Sequence, residues 1–310
     1  MKICRVFDHQ NKSAAYKQAL AEAGYTFTER SSVQGCRFFL SDADWRETMM
    51  EEAAARSVPV FLYPHAARPM VQYDGCVEAK PVRCMFTHAE GGAKIMRKIG
   101  YPYPVEVSGW AYSDVRPFRA AEKVKRILYA PIHPNSNGYL SMVDRELNLR
   151  TFQVLEDYCR GTGASLSIRL IGQPGQCGLD ILNEPAAIPF DFEWHLGKKN
   201  NSTMDMEGAD LVVSHQTFAY IAVALGIPTV MMGEDVPPRS GNSEAGFRYV
   251  AHWDDYKKDL MYPLDILSGR PADVIEKALA GSAEVEDWKS RLIGDPFDGP
   301  AFVRKLESYL

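Results

Sequence analysis

Between Ala209 and Met232 the chain passes from the apolar triplet Leu211-Val212-Val213 through the polar turn Ser214-His215-Gln216-Thr217 into the apolar-rich stretch Phe218 to Leu225. It leaves that stretch through Gly226 and Pro228 into a second apolar run, Thr229 to Met232. A continuous apolar triplet is the signature of a strand buried on both faces, as parallel strands are. Gly226 supplies a helix stop, and Pro228 forbids continuation because its ring fixes φ and removes an N–H donor. Strand, helix of roughly two turns and strand in so few residues define a crossover unit of an α/β sheet. The turn sets hydroxyl, imidazole and amide groups at a helix N-terminus, where free backbone N–H groups and the helix dipole favour an anion. A nucleotide diphosphate suits that place. Equally, Ser214 or Thr217 simply caps the helix.

The rest of the chain repeats the alternation. Strands are predicted at Lys2 to Phe7, Arg37 to Leu40, Val58 to Tyr63, Arg83 to Phe86 and Val105 to Ser108, with helices over Ser13 to Ala23, Asp44 to Arg56 and Glu90 to Ile99. A polar, proline-containing passage from Val115 to Lys123 marks a boundary. A second unit then opens with the strand Val124 to Ala130, the helix Asp144 to Arg160 and the strand Ser165 to Leu170. The tail from Glu284 to Leu310 has helical periodicity and is expected to pack back over the first unit. The expected organisation is therefore residues 1–118, a Rossmann-like first domain, residues 119–290, a Rossmann-like second domain, and residues 291–310, a returning helix. Two such domains facing across a cleft would present the carboxyl ends of their strands to a ligand.

Composition excludes several other classes. A chain of 310 residues with 46% hydrophobic and 24% charged residues is globular, and no apolar run reaches the roughly 20 residues of a membrane helix. Arg5 breaks the apolar run at the N-terminus, which reads as a strand rather than a leader, so a cytoplasmic protein without an integral membrane segment is expected. The six cysteines, at 4, 36, 76, 84, 159 and 177, form no CxxC pair and are expected to be reduced and mostly buried. A net charge of −5 argues against a surface that grips nucleic acid throughout.

Polar residues just after strands carry the functional argument. Asp8-His9-Gln10-Asn11-Lys12-Ser13 follows the first strand, and Tyr63-Pro64-His65-Ala66-Ala67-Arg68 presents an imidazole beside a guanidinium. Thr87-His88-Ala89-Glu90 and Pro131-Ile132-His133-Pro134-Asn135-Ser136-Asn137-Gly138 complete the set. Each alone reads as a solvated loop with a helix cap; four histidines in four post-strand loops point to a common edge.

These residues resemble the glycosyltransferases of the GT-B architecture, most closely the CDP-glycerol:glycerophosphotransferase group that polymerises teichoic acid, over almost the whole chain. Asn11-Lys12-Ser13-Ala14-Ala15-Tyr16 is similar to the Asn-Pro-Lys-Ala-Leu-Tyr turn opening the family's catalytic region, and Tyr63-Pro64-His65-Ala66-Ala67 lies where that family has Trp-His-Gly-Thr. Ile127-Leu128-Tyr129-Ala130-Pro131 matches its Ile-Leu-Tyr-Ala-Pro, and Asp298-Gly299-Pro300-Ala301 is similar to its terminal Asp-Gly-x-Ala. Val107 to Asp114 stands where the family has Gly-x-Pro-Arg-x-Asp, with Trp110-Ala111-Tyr112-Ser113 in place of the Pro-Arg part. Ser214-His215-Gln216-Thr217 replaces a Ser-Ser pair, and Ile168-Arg169-Leu170-Ile171-Gly172 has no histidine where the family carries its second one.

The resemblance implies an α/β protein of GT-B type and a metal-independent transfer of a glycosyl or glycerophosphoryl group from a nucleotide-activated donor, as substrate, to an acceptor hydroxyl, with no cofactor. It assigns His65 as the base, with His133 or His215 substituting for the absent histidine. Donor and phosphate contacts are expected from Pro131, Asn135, Asn137, Gly138, Arg169, Ser214, Gln216, Thr217, Glu234, Asp235 and Arg239. Acceptor contacts are expected from Asp8, His9, Asn11, Lys12, Arg68 and His88. No essential metal ion is expected, and the donor is a nucleotide sugar or a CDP-glycerol-like compound. A teichoic-type polymerase would need an amphipathic membrane surface, for which no helix is evident. A hydroxymethylated DNA base as acceptor would need Arg68, Lys94, Arg97, Lys98, Arg116, Arg119, Lys123, Lys125 and Arg126 to cluster. A nucleotide-sugar 2-epimerase and a non-catalytic nucleotide-binding module are the remaining readings.

Overall fold

The computed structural model describes residues 2–7, 14–28, 32–41, 47–64, 82–98, 100–101, 103–132, 142–170, 192–196, 206, 208–232 and 261–310. They form two compact units, one drawn from Met1–Asp114 and Trp288–Leu310, the other from Val115–Val236 and Tyr262–Asp287.

The first unit is built on strands β1 (Lys2–Phe7), β2 (Tyr25–Phe27), β3 (Phe39–Ser41), β4 (Val60–Leu62), β5 (Val82–Thr87) and β6 (Val105–Val107), parallel throughout and ordered β2-β1-β3-β4-β5-β6. Its helices are α1 (Ala14–Glu22), α2 (Glu47–Ala55) and α3 (Glu90–Lys98). Alternate residues such as Phe38 and Leu40, Phe61 and Tyr63, and Cys84 and Phe86 bury one face of the sheet. Their rings form a chain, Phe38 to Phe61 at 5.7 Å and Phe61 to Phe86 at 6.4 Å between centroids.

The second unit has strands β7 (Arg126–Ala130), β8 (Ser165–Leu170), β9 (Phe192–Leu196), β10 (Leu211–Ser214) and β11 (Thr229–Met231), parallel and ordered β11-β10-β7-β8-β9. Helix α4 (Met142–Thr162) links β7 to β8, and α5 (Gln216–Ala224) links β10 to β11. Helix α5 ends as expected: Gly226 has φ +73°, and an added Cβ would lie 2.0 Å from the Pro117 carbonyl oxygen. That close approach lets the Arg116 and Arg119 amides donate to the carbonyls of Ala224 and Gly226, both at 2.8 Å.

The tail departs from a single helical reading. Helix α6 (Pro271–Ala280) precedes it in the second unit, and the tail itself divides into α7 (Ala283–Leu292) and α8 (Gly299–Ser308), parted by the turn at Gly294 and Pro296. Asp298 caps α8 by accepting from the Ala301 amide at 2.9 Å. Helix α8 packs in the first unit. Phe302 and Leu306 enter its core, and Lys2 and the Tyr25 phenol both donate to Glu307. Strands β2 and β9 and helix α6 are additions to the elements expected from sequence. Cys4, Cys36, Cys84 and Cys159 are free and buried, while Cys76 and Cys177 lie outside the described residues.

Candidate functional site

In the second sheet the chain builds outward from β7 in one direction through β8 and β9, then returns to the other side of β7 with β10 and β11. The strand order therefore reverses between β7 and β10, and open α/β sheets bind ligands at the carboxyl ends of such a pair. Ala130-Pro131-Ile132 leaves one strand there, and Ser214-His215 leaves the other.

Local chemistry explains the geometry of this edge. Ser214 is the last residue of β10 and is 2% exposed; its hydroxyl donates to the Ala130 carbonyl across the pair at 2.9 Å. Its single proton is thus committed to joining two strand ends. The residue that begins α5 is His215, in extended backbone and without a side-chain capping bond, and neither Ser214 nor Thr217 takes that position. The reason is register: pairing of Ser214 with Ala130 keeps Ser214 in the sheet, and Gln216 and Thr217 become the first two helical residues. Their backbone N–H groups have no acceptor within the helix.

Arg169 brings positive charge to the same region. It lies in β8, is 4% exposed, and its guanidinium sits 4.8 Å from the centre of the Phe218 ring in the first turn of α5. A buried guanidinium beside a helix N-terminus strengthens the field that attracts an anion, since low local polarity screens neither. The structure thereby gathers Pro131, Arg169, Ser214 and His215 at one sheet edge, with Gln216 and Thr217 opening the helix. His133, Asn135, Asn137, Gly138, Glu234, Asp235 and Arg239 lie outside the described residues.

Sequence reasoning missed Asn148. It is fully buried in α4, and its side-chain amide accepts from the Ile132 N–H and donates to the Ile132 carbonyl, both at 2.8 Å. Asparagine in a helix interior is a weak signal for such a role, because it disfavours helix without naming its partner.

In the first unit, Asp8, His9, Asn11, Lys12, His65 and Arg68 lie outside the described residues. The chain reaches His65 through Tyr63, whose phenol donates to the Phe7 carbonyl at 2.9 Å, and through Pro64, whose carbonyl accepts from the Tyr112 phenol. The Tyr63 phenol thus joins the chain just after β4 to the last residue of β1 at the carboxyl edge of the sheet. His88 follows β5, is 2% exposed, and packs against Trp110 and Tyr112 with ring centroids 4.8 and 5.1 Å away. It forms part of the wall of a pocket of about 410 Å³ that Glu90, Ser108, Asp295 and Asp298 also line.

Three of the basic residues that a DNA acceptor would need are engaged within the fold. Arg97 donates to Glu90, Arg119 to the Ala209 carbonyl and Arg126 to Ser167, and Arg68 is outside the described residues. Among the described residues no group of histidine, cysteine, aspartate and glutamate converges to hold a metal ion, and no helix is long and apolar enough to cross a membrane.

Each unit, with its parallel sheet and flanking helices, is of the kind that makes up the GT-B glycosyltransferase architecture, and the chain has that fold. MurG from Acinetobacter baumannii matches over 100% of both chains with a TM-score of 0.55 and 10% identity. A UDP-GlcNAc 2-epimerase from Neisseria meningitidis, solved with UDP-GlcNAc bound, matches over 99% of this chain and 100% of its own, with a TM-score of 0.56 and 11% identity. No protein-family profile and no curated protein sequence matches the chain.

Proposed function

We propose that the protein is a metal-independent transferase that moves a glycosyl group, or a glycerophosphoryl group, from a nucleotide-activated donor to an acceptor hydroxyl. The observation that carries this reading is the coincidence, at the reversal point of the second sheet, of an open helix start at His215 with buried Arg169. In this reading the first N–H groups of α5, the Gln216 amide, the Thr217 hydroxyl and the Arg169 guanidinium hold the donor diphosphate and stabilise the charge that develops on the leaving nucleotide. Ser214 shapes the turn, and Pro131, Asn135, Asn137 and Gly138 line the nucleotide side. Glu234, Asp235 and Arg239 contact the transferred group and the phosphates. His65, by its resemblance to the family's base, takes the acceptor proton as the hydroxyl attacks; in glycosyl transfer the sugar–oxygen bond breaks and a nucleoside diphosphate leaves, and in glycerophosphoryl transfer the P–O bond within the donor diphosphate breaks and a nucleoside monophosphate leaves. His133 or His215 supplies positive charge or a proton to that leaving group.

A thermal-shift panel of UDP, CDP, GDP, ADP and dTDP against wild type and Thr217→Ala tests the site, because a ligand bound only by the folded state raises Tm. A selective shift, lost in the variant and unchanged by EDTA, is expected; absence of any shift refutes the reading. His65→Ala should keep the shift and lose transfer. The likeness to an epimerase that binds UDP-GlcNAc favours one second reading, a nucleotide-sugar 2-epimerase. Release of an epimerised sugar without acceptor would select it.

A further inference from the structure

We infer that Asn148 is a positioning residue for the nucleoside diphosphate site, an inference that rests on the proposed donor site at the β7 and β10 ends. A fully buried amide must satisfy both its donor and acceptor sides. Asn148 does so on a single residue: its Oδ1 accepts from the Ile132 N–H and its Nδ2 donates to the Ile132 carbonyl, each at 2.8 Å. The orientation of the amide is forced, because a backbone N–H can only donate and a carbonyl can only accept.

The place of this grip is what gives it meaning. The strand pairing of β10 with β7 ends at Ser214 and Ala130, so Ile132 lies two residues past the last paired position. Asn148 there takes the part of a missing strand partner and prolongs the hydrogen-bonded path of β7. The Tyr129 phenol donates to the backbone carbonyl of Asn148 at 2.9 Å and fastens α4 to the strand at the same level. Together with the Ser214 hydroxyl on Ala130, residues 129–132 are held from both β10 and α4. A leucine of similar size would fill the same volume, but could not dictate the direction in which the Ile132 peptide points. The amide therefore sets the lip of the edge where α5 opens, the position at which a nucleotide would lie against the chain.

The test compares Asn148→Leu with Tyr262→Phe by calorimetric titration of UDP and CDP at a temperature where both are folded. Tyr262 is a structural comparator, since its phenol donates at 3.0 Å to the carbonyl of Thr229, at the start of β11 and away from the carboxyl edge. Asn148→Leu is expected to weaken the Kd about tenfold or more, whereas Tyr262→Phe lowers Tm and leaves the Kd unchanged. Hydrogen exchange should show the Ile132 amide losing protection only in the Asn148 variant. If Asn148→Leu does not fold, Asn148→Asp keeps the shape and the acceptor, loses the donor, and is expected to weaken binding in the same direction. Wild-type affinity in the Asn148 variant overturns this inference while the donor site stands. Failure of the wild type to bind any of the nucleotides overturns the donor site and this inference together.

Discussion

Alanine at Gly226 would test how the second unit is closed. Gly226 and Gly163 share φ +73°, but an added Cβ meets nothing within 4 Å at Gly163 and would lie 2.0 Å from the Pro117 carbonyl oxygen at Gly226. The backbone term is thus common to both. Placing an L side chain in left-handed conformation costs about 1–2 kcal/mol, less about 0.4–1 kcal/mol returned by the stiffer unfolded chain. Gly163→Ala should therefore destabilise by about 1 kcal/mol. At Gly226 the obstacle is backbone, so the 116–119 segment must move and its two 2.8 Å amide bonds, to the Ala224 and Gly226 carbonyls, weaken. Two such bonds at about 1 kcal/mol each, with about 1 kcal/mol or more of overpacking, bring Gly226→Ala to about 3–5 kcal/mol. Gly161, in the last turn of α4 with open space around it and no positive φ, provides the opposite sign: Gly161→Ala should stabilise by about 0.5–1 kcal/mol. Hydrogen exchange of β7 and β10 peptides, read with urea unfolding followed by circular dichroism, isolates this unit from the other. Equal effects at Gly226 and Gly163, within about 0.5 kcal/mol, would refute the close-approach argument.

Ser214→Ala should destabilise the same peptides by about 1–2 kcal/mol, because it removes the donor to the buried Ala130 carbonyl; an unchanged exchange rate would mean that the contact contributes nothing. Lys2 and Tyr25 both donate to Glu307 and hold its carboxyl below its ordinary 4.5. The depressed folded pKa makes this stabilisation fully present above the ordinary value and lost as pH falls through the lower, folded one, so Tm measured on acidification should fall less steeply in Glu307→Gln. Burial pushes the thiols of Cys4 and Cys84 up to about 12 and that of Cys159 to about 11. They should resist iodoacetamide in the native protein at mildly alkaline pH and react once guanidinium unfolds it, with peptide mass spectrometry as the readout. Because the folded thiols are harder to ionise than the unfolded ones, their contribution to stability is complete below the ordinary value of 9.0 and declines as pH rises toward 12.

Strands β7 and β10 were legible because each holds a continuous apolar run, β1 and β5 because a single arginine interrupts an otherwise apolar one, and α5 because Gly226 and Pro228 punctuate it. Strand β9, Phe-Glu-Trp-His-Leu, mixes charge with aromatic residues and offers no such run. The tail has a helical period in sequence across Gly294 and Pro296, where the structure places a turn that ends α7 before the cap at Asp298 opens α8. At the site, the turn after β10 was legible as an anion-favouring helix start, but its capping residue was not. Ser214 and Thr217 are both good capping types, and the choice was made by a strand register that local preference does not encode.

The amino-acid sequence by itself determined the alternation of parallel strands and helices, since hydrophobic periodicity and helix stops act over a few residues. Only the tertiary structure decided where the second sheet reverses, and so which loops share an edge. Ser214 meets Ala130 across 84 positions and Asn148 meets Ile132 across 16, both through hydrogen bonds whose partners are defined by the packing of distant segments. Such pairings depend on sheet order and on the burial that makes an unpaired polar group costly, and neither is a property of any short stretch of chain.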